Sequence, residues 1–222
     1  MTSILPISVA HAARAATCLA VAVVSLPFQH AASACETPAD LNIEVTTKFE
    51  TTPIRNDYTL GDIATLARQL HRATGRPLLG FYASEFGYTI NLVPEGDQAC
   101  PAHIETIVTL RLQHRLIEIG QEAATNSCVY PVALRHYRRL AKVDEQTVER
   151  FGARAAVMLG QASPALKQIH PAHAEDLDVA LREQIRAVVD AAIARLDAAR
   201  QDAKQSVNSS GEVKELTSSC AI

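Results

Sequence analysis

The chain has no excess of positive charge. Its 21 lysines and arginines face 24 aspartates and glutamates, a formal charge of -3, so it lacks the basic field that nucleic acid or an anionic membrane surface requires. Glycine is scarce at 9 residues, aromatic residues make up 5% and tryptophan is absent. Together with 48% hydrophobic and 20% charged residues, this excludes collagen-like and disordered chains and predicts an ordinary globular domain. No apolar run reaches the roughly 20 residues of a bilayer-spanning helix, so no transmembrane segment is expected. There is no glycine-rich phosphate loop, no Cys-x-x-Cys pair and no internal repeat. Ser163, Ser206, Ser209 and Ser210 stand outside any nucleophile-elbow context, so acyl transfer has no support.

The first 34 residues contain no acid and one base, Arg14, followed by an apolar run over residues 15–28 and then Ala32-Ser33-Ala34 before Cys35. This is the order of a secretory signal peptide, with small residues suited to a signal peptidase, and it predicts cleavage after Ala34 and a periplasmic or secreted product. In the alternative, Cys35 is the lipidated cysteine of a lipoprotein; Ala32 stands where that signal wants a large aliphatic residue. Cys18 leaves with the signal, and Cys35, Cys100, Cys128 and Cys220 form an even set in an oxidising compartment. Three pairings are open. Cys100 with Cys128 is favoured because the two flank the expected paired strands, leaving Cys35 and Cys220 to tie the termini or stay free.

Residues 41–49 alternate and are β-branched enough to predict a strand with one buried face. A helix follows, with Ile63, Leu66, Ala67 and Leu70 spaced by three and four and a stop at Thr74-Gly75-Arg76-Pro77. Strand-like stretches at 78–83 with 86–93, at 104–112 and at 116–119 are separated by Pro94-Glu95-Gly96-Asp97 and Gln113-His114-Arg115, which read as turns of an antiparallel meander. After Cys128, Pro131 opens a long helix over about 131–161, in which Val132, Leu140, Val143, Phe151, Val157 and Met158 share a face. A second helix spans about 174–206, with the stripe Leu177, Leu181, Ile185, Val188, Ala192, Leu196 and Ala199. The expected product is a single α+β domain over 35–206: a small antiparallel sheet, an N-terminal helix and a C-terminal pair of long antiparallel helices (131–206), followed by a flexible tail at 207–222.

The stretch 126–140 places a cysteine after a strand, then a helix start, then His136 on that helix. In this layout the chain, over about 41–151, resembles small secreted bacterial proteins regarded as zinc-dependent proteases, in which the helix bears His-Glu-x-x-His. In that motif two histidines one helical turn apart hold Zn²⁺ and the intervening Glu takes the proton of the metal-bound water. Here His136 fills the first-ligand position, Tyr137 stands where the Glu would be and Leu140 replaces the second His. Leucine cannot bind zinc and a phenol is a poor general base at neutral pH. No His-Glu-x-x-His occurs elsewhere in the chain.

The expectation is therefore a non-catalytic binding or structural module on a metalloprotease-like scaffold, with no catalytic residues, no cofactor and at most His136 as a metal-ligand candidate. One alternative is an active metal-dependent hydrolase in which His136 meets His103 or His114. Another is a helix-mediated interaction protein that engages a second periplasmic protein or its own copy through the terminal helices, which would require the stripe from Leu177 to Ala199 to be exposed. Asp144 lies angularly near His136, whereas Glu145 and Glu149 are expected on the polar side. Arg135, Arg138 and Arg139 are expected to be balanced within the helix. His170-Pro171-Ala172-His173 with Glu175 and Asp176 has metal-like content, but Pro171 and a helix start explain most of it.

Overall fold

The computed structural model describes residues 39–69, 78–96, 101–169, 176–209 and 220. The leader, Cys35, Cys100, the 97–100 connection and His170 to Glu175 lie outside them. Strand β1 (Asp40–Phe49) is followed by the two-residue β2 (Ile54–Arg55) and helix α1 (Leu60–Gln69). Two long strands follow, β3 (Gly80–Gly96) and β4 (Pro101–Ile119), then the short α2 (Gln121–Ala124), the 38-residue α3 (Val129–Leu166), α4 (Leu177–Ile193) and α5 (Leu196–Ser209).

The α+β class stands, but the sheet is not the antiparallel meander expected. β3 and β4 form one long antiparallel hairpin, and β1 and β2 both pair parallel with β4. A strand has two edges, and β3 occupies one along the whole of β4. β1 and β2 therefore lie end to end on the other, giving a mixed sheet three strands wide. The expected turn at Gln113-His114-Arg115 is a β-bulge. Glu85 pairs with Gln113 and Ala83 with Leu116, so β4 carries one residue more than β3 over this step, and His114 takes φ 50°. A bulge interrupts alternation as a turn does, but the strand continues beyond it.

That extra residue changes the face that β4 presents. Ile104, Thr106, Val108, Leu110 and Leu112 are buried before it, whereas Arg115, Ile117 and Ile119 are buried after it. The first set packs with Val148 and Leu159 of α3 and Leu181, Ile185 and Val189 of α4. The second packs with Ala133, Tyr137 and Leu140 of α3, Val207 of α5 and Cys220. Glu118, on the other side of the strand, is fully buried, and its Oε1 accepts the backbone N–H groups of Asp57 and Tyr58 at 2.6 and 3.1 Å. It thereby pins the loop that leads into α1.

Local chemistry sets the helix starts. Thr59 and Asp62 form a reciprocal capping box at α1, with Asp62 N–H donating to Thr59 Oγ1 at 3.1 Å and Thr59 N–H to Asp62 Oδ2 at 3.0 Å. At α3, Asn126 Oδ1 accepts from the N–H groups of Cys128 and Val129 at 3.0 and 3.1 Å, and Pro131 sits in the first turn. The expected second long helix is broken at residues 194 and 195 into α4 and α5. Leu181, Ile185, Ala192 and Leu196 of its stripe are at most 2% exposed, so this face is consumed within the fold. α5 continues past Ser206, and Val207 is buried.

The favoured cysteine pairing is overturned. Cys128 bonds Cys220, with a Cα–Cα distance of 5.8 Å and a sequence separation of 92. Cys220 is buried in the apolar cluster that includes Val129 of α3 and Val207 of α5, which places it beside Cys128. Among the described residues no helix is long and apolar enough to cross a membrane.

Candidate functional site

The inward face of α3 positions the motif residues. His136 is 6% exposed, its Nε2 lies 3.0 Å from Asn208 Oδ1 of α5, and its ring meets that of Tyr137 edge-on at 5.2 Å. Tyr137 is buried against Gly80, and burial pushes its phenol far above the ordinary range. Leu140 packs in the apolar cluster with Ile117, Ile119 and Val207. His103 and His114 are not brought to this place. His103 lies 3.6 Å from Asp40 near the start of β4, and His114 lies exposed in the bulge with Nδ1 3.1 Å from Glu85. Eleven residues of strand put these two histidines roughly 35 Å apart. Among the described residues no three His, Cys, Asp or Glu side chains are grouped so as to hold a metal.

One turn beyond Leu140, α3 carries two consecutive acids that each grip an arginine from a different element. Asp144 is 0% exposed. Arg200 of α5 donates to it through Nε at 2.7 Å and through a terminal nitrogen at 3.1 Å, Ser84 Oγ at 2.6 Å and Tyr82 Oη at 3.1 Å, and Lys204 Nζ stands 3.2 Å away. Burial works to raise the Asp144 pKa, but the Arg200 and Ser84 hydrogen bonds and the Lys204 charge outweigh it and hold the carboxyl below its ordinary range. Arg200 also reaches Asp197 at 3.1 Å and lies 6.0 Å over the Phe86 ring. The arrangement ties α3, α5 and β3 together at one point.

Glu145 does not point to the solvated side as expected. It accepts from Arg115 at 2.5 Å and pairs with Lys142 at 3.4 Å. Arg115 is the residue that the bulge turns inward. Its side chain is 4% exposed, it donates to the Glu50 carbonyl at 2.7 Å and it lies 5.9 Å over the Phe49 ring. Beside this pair a cleft of about 260 Å³ opens between β2, the end of β4 and α3, with Ile54 and Ile117 on one wall and Arg138 and Lys142 on the other. Arg138 forms no ion pair with the described residues, so the expected balance within the helix does not extend to it.

Comparison with protein families, characterised proteins and solved structures finds no match. What this region can do must therefore be read from its own chemistry. Asp144 is saturated by cations and hydroxyls and Glu145 is paired with Arg115 and Lys142, which makes both of them fasteners between elements. The buried partners of Asp144 escaped sequence reasoning. A signal was present, since Asp144 interrupts the apolar row from Leu140 to Val148, and Arg200 interrupts the row from Leu196 to Val207. Opposite charges placed in the apolar rows of two paired helices are a pattern of mutual burial.

Proposed function

We propose that this protein is an exported, non-catalytic binding or structural module, with a metalloprotease-like motif helix that has lost its zinc-binding and catalytic residues. One observation carries the reading: the three positions His136, Tyr137 and Leu140 are each 6% exposed and are used for packing and for the contact with Asn208. A catalytic zinc needs three protein ligands and an open position for water, and side chains turned into a core supply neither. Export is supported by the leader-like order of residues 1–34, and the Cys128–Cys220 disulfide suits an oxidising compartment.

Elemental analysis after dialysis against dilute zinc, with a peptidase assay alongside, tests the proposal. The expected result is no stoichiometric zinc, no metal-dependent cleavage, and no change in metal content in His136→Ala. One equivalent retained by the wild type and lost in that variant would overturn it. N-terminal sequencing and intact mass of the processed protein should give a chain beginning at Cys35 without an acyl adduct. A diacylglycerol on Cys35 would instead make it a membrane-anchored lipoprotein.

A further inference from the structure

We propose that the cleft between β2, the end of β4 and α3 binds a small organic carboxylate, whose charged end is met by Arg138 and Lys142 and whose hydrocarbon end lies on Ile54. The inference names a ligand class for the binding module proposed above and rests on that reading. The carrying observation is a local reversal of charge. In a chain of formal charge -3, this cleft gathers Arg115, Arg138 and Lys142 around a single carboxylate, Glu145.

The fold makes that gathering in two steps. The bulge, with His114 in the left-handed region and its N–H donating to Glu50 Oε2 at 2.8 Å, turns Arg115 into the cleft floor. A β-bulge that re-aims a side chain recurs beside binding sites. Arg115 then draws Glu145 to itself at 2.5 Å, leaving Lys142 with only a 3.4 Å contact to that carboxylate and Arg138 with no ion pair among the described residues. Arg138 and Lys142 are four residues apart on α3, hence neighbours on one helix face, and like charges at that spacing repel. An anion seated between them removes the repulsion and receives charge-assisted hydrogen bonds from both.

The other wall decides the class of anion. Ile54, part-exposed above the buried Ile117, offers hydrocarbon surface beside the cations, which an inorganic anion cannot use and a short aliphatic carboxylate can. A cleft of about 260 Å³ admits a ligand of that size and not a folded partner. Arg115 is a positioning residue here: its terminal nitrogens are committed to Glu50 and Glu145, so it supplies the field and fixes Glu145.

Titration of the purified protein with hexanoate, followed by amide NMR, tests the proposal, with inorganic phosphate and neutral hexanamide as parallel arms. Saturable shifts confined to the residues around the cleft are expected for hexanoate, with weaker binding in the other two arms and weakening as salt is added. Arg138→Gln with Lys142→Gln, two exposed positions that leave the core intact, should weaken hexanoate roughly tenfold or more, while Arg138→Lys should largely retain it. Phosphate binding as tightly as hexanoate would remove the apolar wall from the site, hexanamide binding as tightly would remove the cations, and no saturable shift would remove the site; each overturns the proposal. Absence of hexanoate binding in a zinc-free protein defeats the cleft alone. A protein that binds hexanoate and also holds zinc at His136 defeats the non-catalytic reading alone.

Discussion

The apolar cluster around Val108, Leu110, Leu112, Val148, Leu159 and Ile185 is aliphatic and joins the first part of β4 to the middle of α3 and to α4. Beyond the bulge, the cluster around Ile117, Ile119, Tyr137, Leu140 and Val207 adjoins a buried histidine, a disulfide and the fully buried Glu118 and Asp144. The boundary falls at Asp144 and Glu145 on α3 and at Arg115 on β4. The first region is held by hydrophobic burial, which any well-packed arrangement of aliphatic side chains provides. The second relies on pairings that work in one geometry only, because a buried charge or polar group without its partner costs more than the intact pair contributes.

Removing a partner at the boundary should therefore have the largest effect. Asp144→Ala takes from Arg200 its buried carboxylate, leaving it only the exposed Asp197 and the Ser84 hydroxyl, and should cost about 3–5 kcal/mol in a urea melt. A loss below about 1 kcal/mol would show that α5 is not held by this contact. Replacing both partners, as Asp144→Leu with Arg200→Met, should recover most of the loss. The pH dependence has a defined sign. The carboxyl is held below its ordinary value in the fold, so its contribution is complete above the unfolded value near 4 and is lost as pH falls through the folded one. Asp144→Asn should flatten the acid limb of the stability profile.

A cavity in the aliphatic region provides the contrast. Leu110 is 0% exposed, and Leu110→Ala should cost about 2–5 kcal/mol. Unlike that of Asp144→Ala, this loss should vary little as pH falls below about 4, since no titrating group is uncovered. A strong pH dependence would mean that the two regions are not separable. Next comes the disulfide. Cys128→Ser with Cys220→Ser should cost roughly 2–4 kcal/mol, the usual range for closing a long loop, and hydrogen exchange should rise first in α5, whose Val207 packs in the same cluster as Cys220. A uniform rise across α3 and β4 would show that the bond stabilises the whole chain without preference.

The same boundary divides what could be read from the sequence. The aliphatic region was legible through periodicity: residues 41–49 alternate and form β1, and Leu181, Ile185, Ala192 and Leu196 repeat at helical spacing and are buried. Local punctuation was legible too, as with Pro131 in the first turn of α3. The direction of the sheet was not, because β1 pairs parallel with a strand about sixty residues further on, and turn chemistry reports only on neighbours. Gln113-His114-Arg115 is polar and breaks alternation whether it is a turn or a bulge, and only the continuation of pairing to Ile119 separates the two. The pairings of Asp144 with Arg200, Glu118 with residues 57 and 58, and Cys128 with Cys220 span 56 to 92 residues. Nothing in the composition of those segments chooses among their possible partners.

Polar contacts are not confined to the second region, and the smallest prediction concerns one in the first. Tyr88 of β3 donates from Oη to Asp190 of α4 at 2.6 Å, at a partly exposed site. Burial, helped by the Asp190 hydrogen bond and charge, raises its phenol to about 12. A group with a raised folded pKa adds stability that is present below the unfolded value near 10 and is lost as pH rises through the folded one. Tyr88→Phe should thus cost under about 1 kcal/mol at neutral pH, since the bond is exposed to competing water, and should flatten the alkaline limb between about pH 10 and 12. If the variant instead loses as much as Asp144→Ala, α4 is fastened to β3 by a polar clasp as demanding as the one that fastens α5, and the contrast between the two regions fails.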